Sequence, residues 1–129
     1  MAAALSAQAK ALMDDQAFAT VATVGRDGRP QQTVVWIKTD GDDLVFSTVR
    51  GRVKARNLER NPGVSVLVID PRDTARYVAV RGRATLSDDG GPELIQELSR
   101  RYTGEPYGAD GADAVRTVVR ITPDSVFER

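Results

Sequence analysis

The sequence contains neither cysteine nor histidine among its 129 residues. These absences exclude disulfides, zinc sites built on thiolate or imidazole, cysteine nucleophiles and every catalytic arrangement that relies on histidine. They also remove the side chain best suited to proton transfer near neutral pH. If the chain is an enzyme, we therefore expect an organic cofactor to supply the difficult chemistry, with the protein supplying binding, orientation and electrostatics.

The sequence also lacks an excess of charge and a long apolar run. Its 18 basic residues balance its 18 acidic ones, so no global field would recruit nucleic acid or an anionic membrane. No stretch approaches the roughly 20 apolar residues of a membrane span, and residues 1–14 lack the basic head and apolar block of a signal peptide. With 41% hydrophobic residues, we expect one cytoplasmic domain over residues 1–129.

Turn signals and apolar patterning divide the chain into strands with a few helices between them. We predict helices over residues 3–13, 51–60 and 92–102. We predict strands over residues 17–24, 31–39, 44–48, 64–69, 76–86, 115–121 and 125–128. Because this order is not a βαβ alternation, it predicts a mainly β fold with peripheral helices, built as a closed or nearly closed antiparallel barrel.

Residues 47–57 form a locally basic segment that contains no acid. Two hydroxyls end a predicted strand, and a helix begins where free N–H groups and the helix dipole attract phosphate. Its four cations are Arg50, Arg52, Lys54 and Arg56. The segment is interpreted either as a phosphate site or as a solvated basic helix with Glu59 as partial counterion, and its spacing leaves both open.

Three further features each have a functional and a structural interpretation. The strand over residues 31–38 carries the only tryptophan, Trp36, which suits either the wall of a flat ring system or the core. Residues 40–43 are rich in aspartate but lack the spacing of a calcium loop, so they predict a hairpin turn and no metal site. Tyr102 and Tyr107 flank a loop that either covers a pocket or is an ordinary connection.

Three stretches taken together resemble the pyridoxamine 5'-phosphate oxidase-like split β-barrel superfamily. Residues 18–24 precede the turn Asp-Gly-Arg-Pro, residues 44–48 precede the basic segment through residue 62, and residues 77–84 form a strand with a Gly-x-Ala step. The resemblance spans residues 17–86 in order, with a weaker echo over residues 119–126. It implies an antiparallel split barrel that forms a homodimer, with two cofactors in clefts at the subunit interface.

The resemblance also implies which residues bind a phosphate-bearing flavin or deazaflavin. Ser47, Thr48, Arg52 and Lys54 match phosphate-contacting positions. The strand along the ring system is matched by Gln32, Thr33, Val34, Val35 and Trp36. Tyr77 lies near a position that the second subunit offers to the cofactor, and Arg50, Arg56 and Asn57 are expected in supporting roles.

Departures from the oxidases narrow the expected function. Val53 and Thr33 stand where those enzymes carry basic residues, and their C-terminal substrate-binding extension is absent, so we do not expect oxidation of pyridoxamine phosphate. The motif Arg-x-Lys-x-Arg-Asn is most similar to the actinobacterial branch that uses coenzyme F-420. That branch implies hydride transfer from reduced F-420 to an unsaturated small molecule.

Three alternatives to this function stay open at the level of sequence. They are a reductase or oxidase that binds flavin mononucleotide (FMN), a non-catalytic carrier of the cofactor, and a small barrel without a cofactor. No catalytic residue is assigned, because the proton could come from solvent, a held water or a tyrosine.

Overall fold

The computed structural model describes residues 3–129 as one antiparallel sheet with three helices. The strands are β1 (Ala19–Val24), β2 (Pro30–Val35), β3 (Lys38–Asp40), β4 (Asp43–Val49), β5 (Gly63–Ile69), β6 (Tyr77–Ser87) and β7 (Arg116–Glu128). The helices are α1 (Ala7–Asp14), α2 (Val53–Arg60) and α3 (Gly91–Thr103).

The strand order is β2-β1-β5-β6-β7-β4-β3, so β2 and β3 occupy opposite edges of the sheet although they are consecutive in the chain. Only Trp36 and Ile37 separate them. The chain thus connects the two edges without pairing them, which makes the barrel split. The predicted fold class is confirmed, and the sheet is not closed by hydrogen bonds.

The predicted single strand over residues 31–39 is wrong, because β2 ends at Val35 and β3 begins at Lys38. At the break, the Tyr102 hydroxyl takes the place of a strand partner. It accepts a hydrogen bond from the Ile37 N–H at 3.1 Å and lies 3.0 Å from the Ile37 carbonyl oxygen. Backbone polar groups that leave a sheet need such partners. The local sequence pattern does not predict this break, because the tyrosine lies 65 positions away in the chain.

The predicted break between two C-terminal strands is also wrong, because β7 continues through Pro123. Pro123 pairs with Gly82, and next to this pair the β6–β7 register shifts by one residue, which skips Asp124 of β7. A bulge tolerates the missing N–H of proline. A Cβ on Gly82 would lie 2.3 Å from the Thr122 carbonyl oxygen, so this crossing requires glycine.

The core lies between the inward faces of the strands, with α1 and α2 contributing to it. Large fully buried residues come from β1, β4, β5, β6 and β7: Val21, Phe46, Val66, Val80 and Ile121. Helix α1 adds Leu12 and Met13, and it begins later than predicted because the Ser6 side chain accepts a hydrogen bond from the Ala9 N–H and caps it.

Helix α3 lies on the outer side of β4 and forms a second, smaller cluster. Its Leu94 and Leu98 pack with Val45 of β4, and Trp36 and Tyr102 border them. At the start of the helix, a Cβ on Gly91 would lie 2.1 Å from the Arg116 carbonyl oxygen. This close approach fixes the helix against the first residue of β7.

Candidate functional site

A cavity of about 240 Å³ lies between the end of β2, the end of β4, the start of α2 and helix α3. Its wall combines apolar and cationic side chains. The lining residues are Phe18, Val34, Val35, Trp36, Ser47, Arg52, Lys54, Ile95, Leu98, Tyr107 and Arg116.

The apolar wall is built around Trp36. Its ring stacks on Tyr102 with centroids 5.5 Å apart and planes 16° apart, and the Tyr107 ring meets it edge-on at 6.2 Å. These contacts fix the indole because offset-stacked and edge-to-face aromatic pairs are favourable. Phe18 and Val34, which are 62% and 64% exposed, continue the wall out to the protein surface.

The cationic wall comprises Arg52, Lys54 and Arg116. Neither Arg52 nor Lys54 has a carboxylate within ion-pair distance among residues 3–129. Burial lowers the pKa of Lys54, and the like charges of Arg52 and Arg116 lower it further. Unpaired like charges that share a partly buried cavity favour binding of an anion.

The Ser47 hydroxyl supports the same interpretation. It is buried and has no hydrogen-bond partner within residues 3–129. Buried hydroxyls are normally paired, so a ligand oxygen would satisfy it. Helix α2 begins beside it, and its N-cap residue Arg52 makes no side-chain cap, which leaves N–H groups at the helix start for an anion. The residues present therefore fit a phosphate group next to a flat apolar ring.

Strand alternation separates the two hydroxyls that the sequence groups together. Ser47 faces the cavity, whereas Thr48 is fully buried on the face of β4 that carries Leu44 and Phe46. Successive side chains of a strand point to opposite faces. Thr48 therefore lies in the core and not in the cavity.

The three expected supporting residues also lie outside the cavity. Arg50 donates hydrogen bonds to Asp88 at 2.9 Å and to Glu59 at 2.7 Å, and these partners raise its pKa. Arg56 lines a separate groove beside the β1–β2 turn. Asn57 is 4% exposed and its Nδ2 donates to the Thr23 hydroxyl at 3.0 Å, so its amide ties α2 to β1.

The remaining predicted residues lie around the cavity or apart from it. Of the five on the predicted ring-contacting strand, the structure brings Val34, Val35 and Trp36 into the cavity wall. Gln32 is exposed. Thr33 is the register partner of Val21, and its buried hydroxyl has no hydrogen-bond partner within residues 3–129. The Tyr77 ring lies 5.9 Å from that of Phe127, away from the cavity of its own chain.

Sequence reasoning missed Arg116 and did not decide the role of Tyr107. Arg116 is 7% exposed, forms two 2.8 Å hydrogen bonds to Asp110, and places its guanidinium 4.8 Å from the centre of the Tyr107 ring. The available signal was an arginine near the start of the predicted strand over residues 115–121. Its contribution became visible only when β4 and β7 paired, since Arg116 is the register partner of Val49.

The acidic turn over residues 40–43 binds cations of the protein itself. Arg120 contacts Asp40 at 2.7 Å and Asp43 at 3.2 Å, and Lys10 contacts Asp42 at 3.2 Å. Within residues 3–129, no group of three or more side chains is arranged to hold a metal ion. In the same range, no helix combines the length and apolar character required to cross a membrane.

The chain is similar to known proteins in sequence and in fold. Residues 5–129 match the family model described as pyridoxamine 5'-phosphate oxidase. The chain belongs to the pyridoxamine 5'-phosphate oxidase family. Among curated members, it is 34% identical over 106 residues to the pyridoxine/pyridoxamine 5'-phosphate oxidase of Kineococcus radiotolerans, covering 82% of this chain and 44% of that protein.

A second curated member of the family, from Vibrio vulnificus, is 45% identical over 58 residues, covering 44% of this chain and 28% of that protein. The chain therefore spans less than half the length of these relatives. Among solved structures, an F420 reductase superposes with a TM-score of 0.84 at 31% identity, over 95% of this chain and 98% of its own. A conserved hypothetical protein of Mycobacterium tuberculosis gives 0.79 at 26% identity, covering 98% of this chain and 85% of that one.

Proposed function

We propose that this family member is a homodimeric oxidoreductase that uses reduced coenzyme F-420 for hydride transfer to an unsaturated small molecule. The observation that carries the proposal is that one cavity brings the Trp36 wall together with Arg52, Lys54 and the Ser47 hydroxyl, none of which has an ion-pair or hydrogen-bond partner for its side chain in the part of the chain that the structure describes. That combination suits a flat ring system joined to a phosphate. The structural similarity to the F420 reductase covers nearly the whole chain, and it favours the deazaflavin over FMN as the cofactor.

The size of the cavity supports a dimer. Its volume of about 240 Å³ is below the roughly 300–1,000 Å³ of typical pockets for drug-sized ligands. One chain thus encloses only part of such a cofactor, and a second copy would supply the remaining wall. The cavity also reaches the surface at Phe18 and Val34, both exposed apolar residues.

Val34 belongs to a row of outward-facing residues that crosses five strands. Cross-strand pairs link Val34, Thr20, Leu67, Ala79 and Phe127 in that order. Ile69 and Phe127, 42% and 53% exposed, enlarge the apolar character of this face. A contiguous exposed apolar surface marks an interaction site. Since it adjoins the cavity, we assign it to the dimer contact, which would also bring the partner's Tyr77 towards the cofactor.

Within the site, each residue has a binding or positioning role. Ser47, Arg52, Lys54 and the start of α2 would hold the phosphate, and Val34 to Trp36 would orient the ring and exclude water. When bound, reduced F-420 supplies the hydride. Without histidine or cysteine, acceleration depends on positioning and water exclusion, and the proton is expected from solvent or from the Tyr107 hydroxyl in the wall.

A reductase or oxidase that binds FMN is the second candidate, because the curated relatives are pyridoxine/pyridoxamine 5'-phosphate oxidases and an FMN phosphate would use the same cations. A carrier that binds F-420 without turnover is the third. The matched stretch covers less than half of those oxidases, so their activity is not transferred to this chain.

Fluorescence titration of the purified protein with F-420, FMN and riboflavin separates these candidates. We expect micromolar affinity for F-420, weaker affinity for FMN, and the weakest for riboflavin, which lacks the phosphate. Oxidation of reduced F-420 is then followed with a panel of enones, quinones and tetrapyrroles. Tight binding with no turnover favours the carrier, a preference for FMN favours the second candidate, and no binding of either cofactor refutes all three.

A further inference from the structure

Arg116 is the cation of the cavity that is already neutralised. Its Nε donates to one carboxylate oxygen of Asp110 and an Nη to the other, both at 2.8 Å. Its side chain is 6% exposed, and its guanidinium also lies over the Tyr107 ring. A bidentate arginine–carboxylate pair uses the hydrogen-bonding fork that would otherwise receive a phosphate. As the protein stands, little of Arg116 is free for a ligand.

Asp110 belongs to a different part of the chain from the cavity walls. It lies in the connection between α3 and β7, and its side chain is 25% exposed. The first part of this connection is fixed to α3, because Gln96 forms hydrogen bonds with both the N–H and the carbonyl oxygen of Tyr107. Beyond Tyr107, residues 108–113 are joined to the remainder of residues 3–129 by the two hydrogen bonds that the Asp110 carboxylate accepts from Arg116 and by one local bond from the Ala114 N–H to the Gly111 carbonyl oxygen at 3.2 Å.

The carboxylate therefore acts as an anion that the protein supplies to its own cationic site. Hydrogen bonds from Arg116 hold its pKa below the usual range, and the charges of Arg116 and Arg52 act in the same direction, so it is ionised at neutral pH. A phosphate monoester carries more negative charge at neutral pH than a carboxylate, and any phosphate in the cavity also meets Ser47, Arg52 and Lys54. It is placed to compete with Asp110 for Arg116.

We propose that Asp110 is a built-in competitor of the phosphate site: it holds Arg116 in the free protein, and a phosphate-bearing ligand takes Arg116 from it and releases residues 108–113. This inference rests on the proposed phosphate site but not on which cofactor carries the phosphate. A ligand must therefore bind Arg116 more strongly than Asp110 does, and a weakly charged ligand does not. Asp110 is accordingly a specificity-determining residue.

The test compares the wild type with Asp110→Asn and, as matched control, Asp113→Asn, which removes a carboxylate of the same loop that pairs with nothing within residues 3–129. Inorganic phosphate, FMN and riboflavin are titrated into each protein. We expect Asp110→Asn to tighten the Kd for phosphate and FMN about fivefold, with riboflavin unchanged and the control like wild type. Equal or weaker phosphate binding by Asp110→Asn overturns the proposal, because Asp110 would then merely orient Arg116.

A second measurement uses the wild type alone and is independent of whether the variant folds. Cleavage of residues 108–113 by a broad-specificity protease is followed with and without phosphate, since released loop tips are preferred cleavage sites. We expect faster cleavage in this segment on binding, whereas unchanged or slower cleavage contradicts its release. If the wild type binds neither F-420 nor FMN while both results with inorganic phosphate hold, the proposed function fails and Asp110 still acts as described. If the wild type binds a cofactor but the two phosphate results fail, the role of Asp110 alone is rejected.

Discussion

Lys54 offers the sharpest prediction, because replacing it should affect folding stability and ligand binding in opposite directions. It is partly buried and has no ion-pair partner among the described residues 3–129. Burial lowers its pKa, and the nearby charges of Arg52 and Arg116 lower it further. Methionine at this position keeps the apolar stem and removes the charge. Lys54→Met should therefore stabilise the ligand-free protein, since like charges no longer face one another.

The direction of the pKa shift determines how the stability effect of Lys54→Met changes with pH. Because the folded state lowers the pKa of Lys54, the unfolded chain binds the proton more tightly between the lowered pKa and the ordinary value of 10.5. Wild-type stability carries this penalty at neutral pH and recovers as the pH rises through that window. The gain in Tm of Lys54→Met should accordingly be present at pH 7 and shrink in alkaline solution.

For binding, the loss should equal that of one hydrogen bond to a charged group. That is about 1.5–3 kcal/mol, or roughly 10- to 150-fold in Kd. Titration with FMN and F-420 should show this loss, while riboflavin binds both proteins equally. Arg100→Met removes an exposed charge that lies outside the cavity and should change neither quantity. Unchanged affinity for the phosphorylated ligands would refute the assignment of Lys54 to the phosphate.

Three further outcomes are expected. Gly91→Ala should displace the start of β7 and lower the free energy of unfolding, measured in urea, by about 1–3 kcal/mol. Gly108→Ala should leave it unchanged, because a Cβ at Gly108 has no heavy atom of residues 3–129 within 4 Å. Phe127→Asp should give monomers in ultracentrifugation and weaker cofactor binding in titration. Val115→Asp, which is exposed but lies outside the proposed dimer face, should change neither. Asp70→Asn should lower Tm near neutral pH, and the difference should vanish in acid, because the Arg72 N–H and side chain lower the pKa of Asp70; a difference that persists in acid contradicts it.

The elements most successfully predicted are those whose pattern is local. Residues 64–69, nearly all β-branched or apolar, became β5 in the interior of the sheet, and α2 ends at Arg60, the last residue of the predicted helix. The same holds for the two hairpin turns, β1–β2 and β3–β4. Side-chain periodicity and turn chemistry act over a few residues, so a single sequence carries them.

The predictions that failed or stayed incomplete depend on partners distant in the chain. Whether β2 ends at Val35 depends on Tyr102, and whether β7 passes Pro123 depends on the bulge at Gly82. In the site, the sequence groups Ser47 with Thr48 by adjacency, but strand alternation places them on opposite faces. The order of residues in a basic segment does not specify which of them face one cavity.

What the sequence predicts by itself is a borrowed cofactor and the approximate place of its phosphate. The lack of histidine and cysteine favours an organic cofactor for any redox reaction, and the basic segment beside a strand end predicts where a phosphate would bind. Only the tertiary structure decided the composition of the site. In the fold, Arg50 and Asn57 form hydrogen bonds within the protein and so have structural roles. The fold also places Arg116 and its competitor Asp110 at the cavity. These contacts could not be read from the sequence, because side chains far apart in sequence meet only when strands pair.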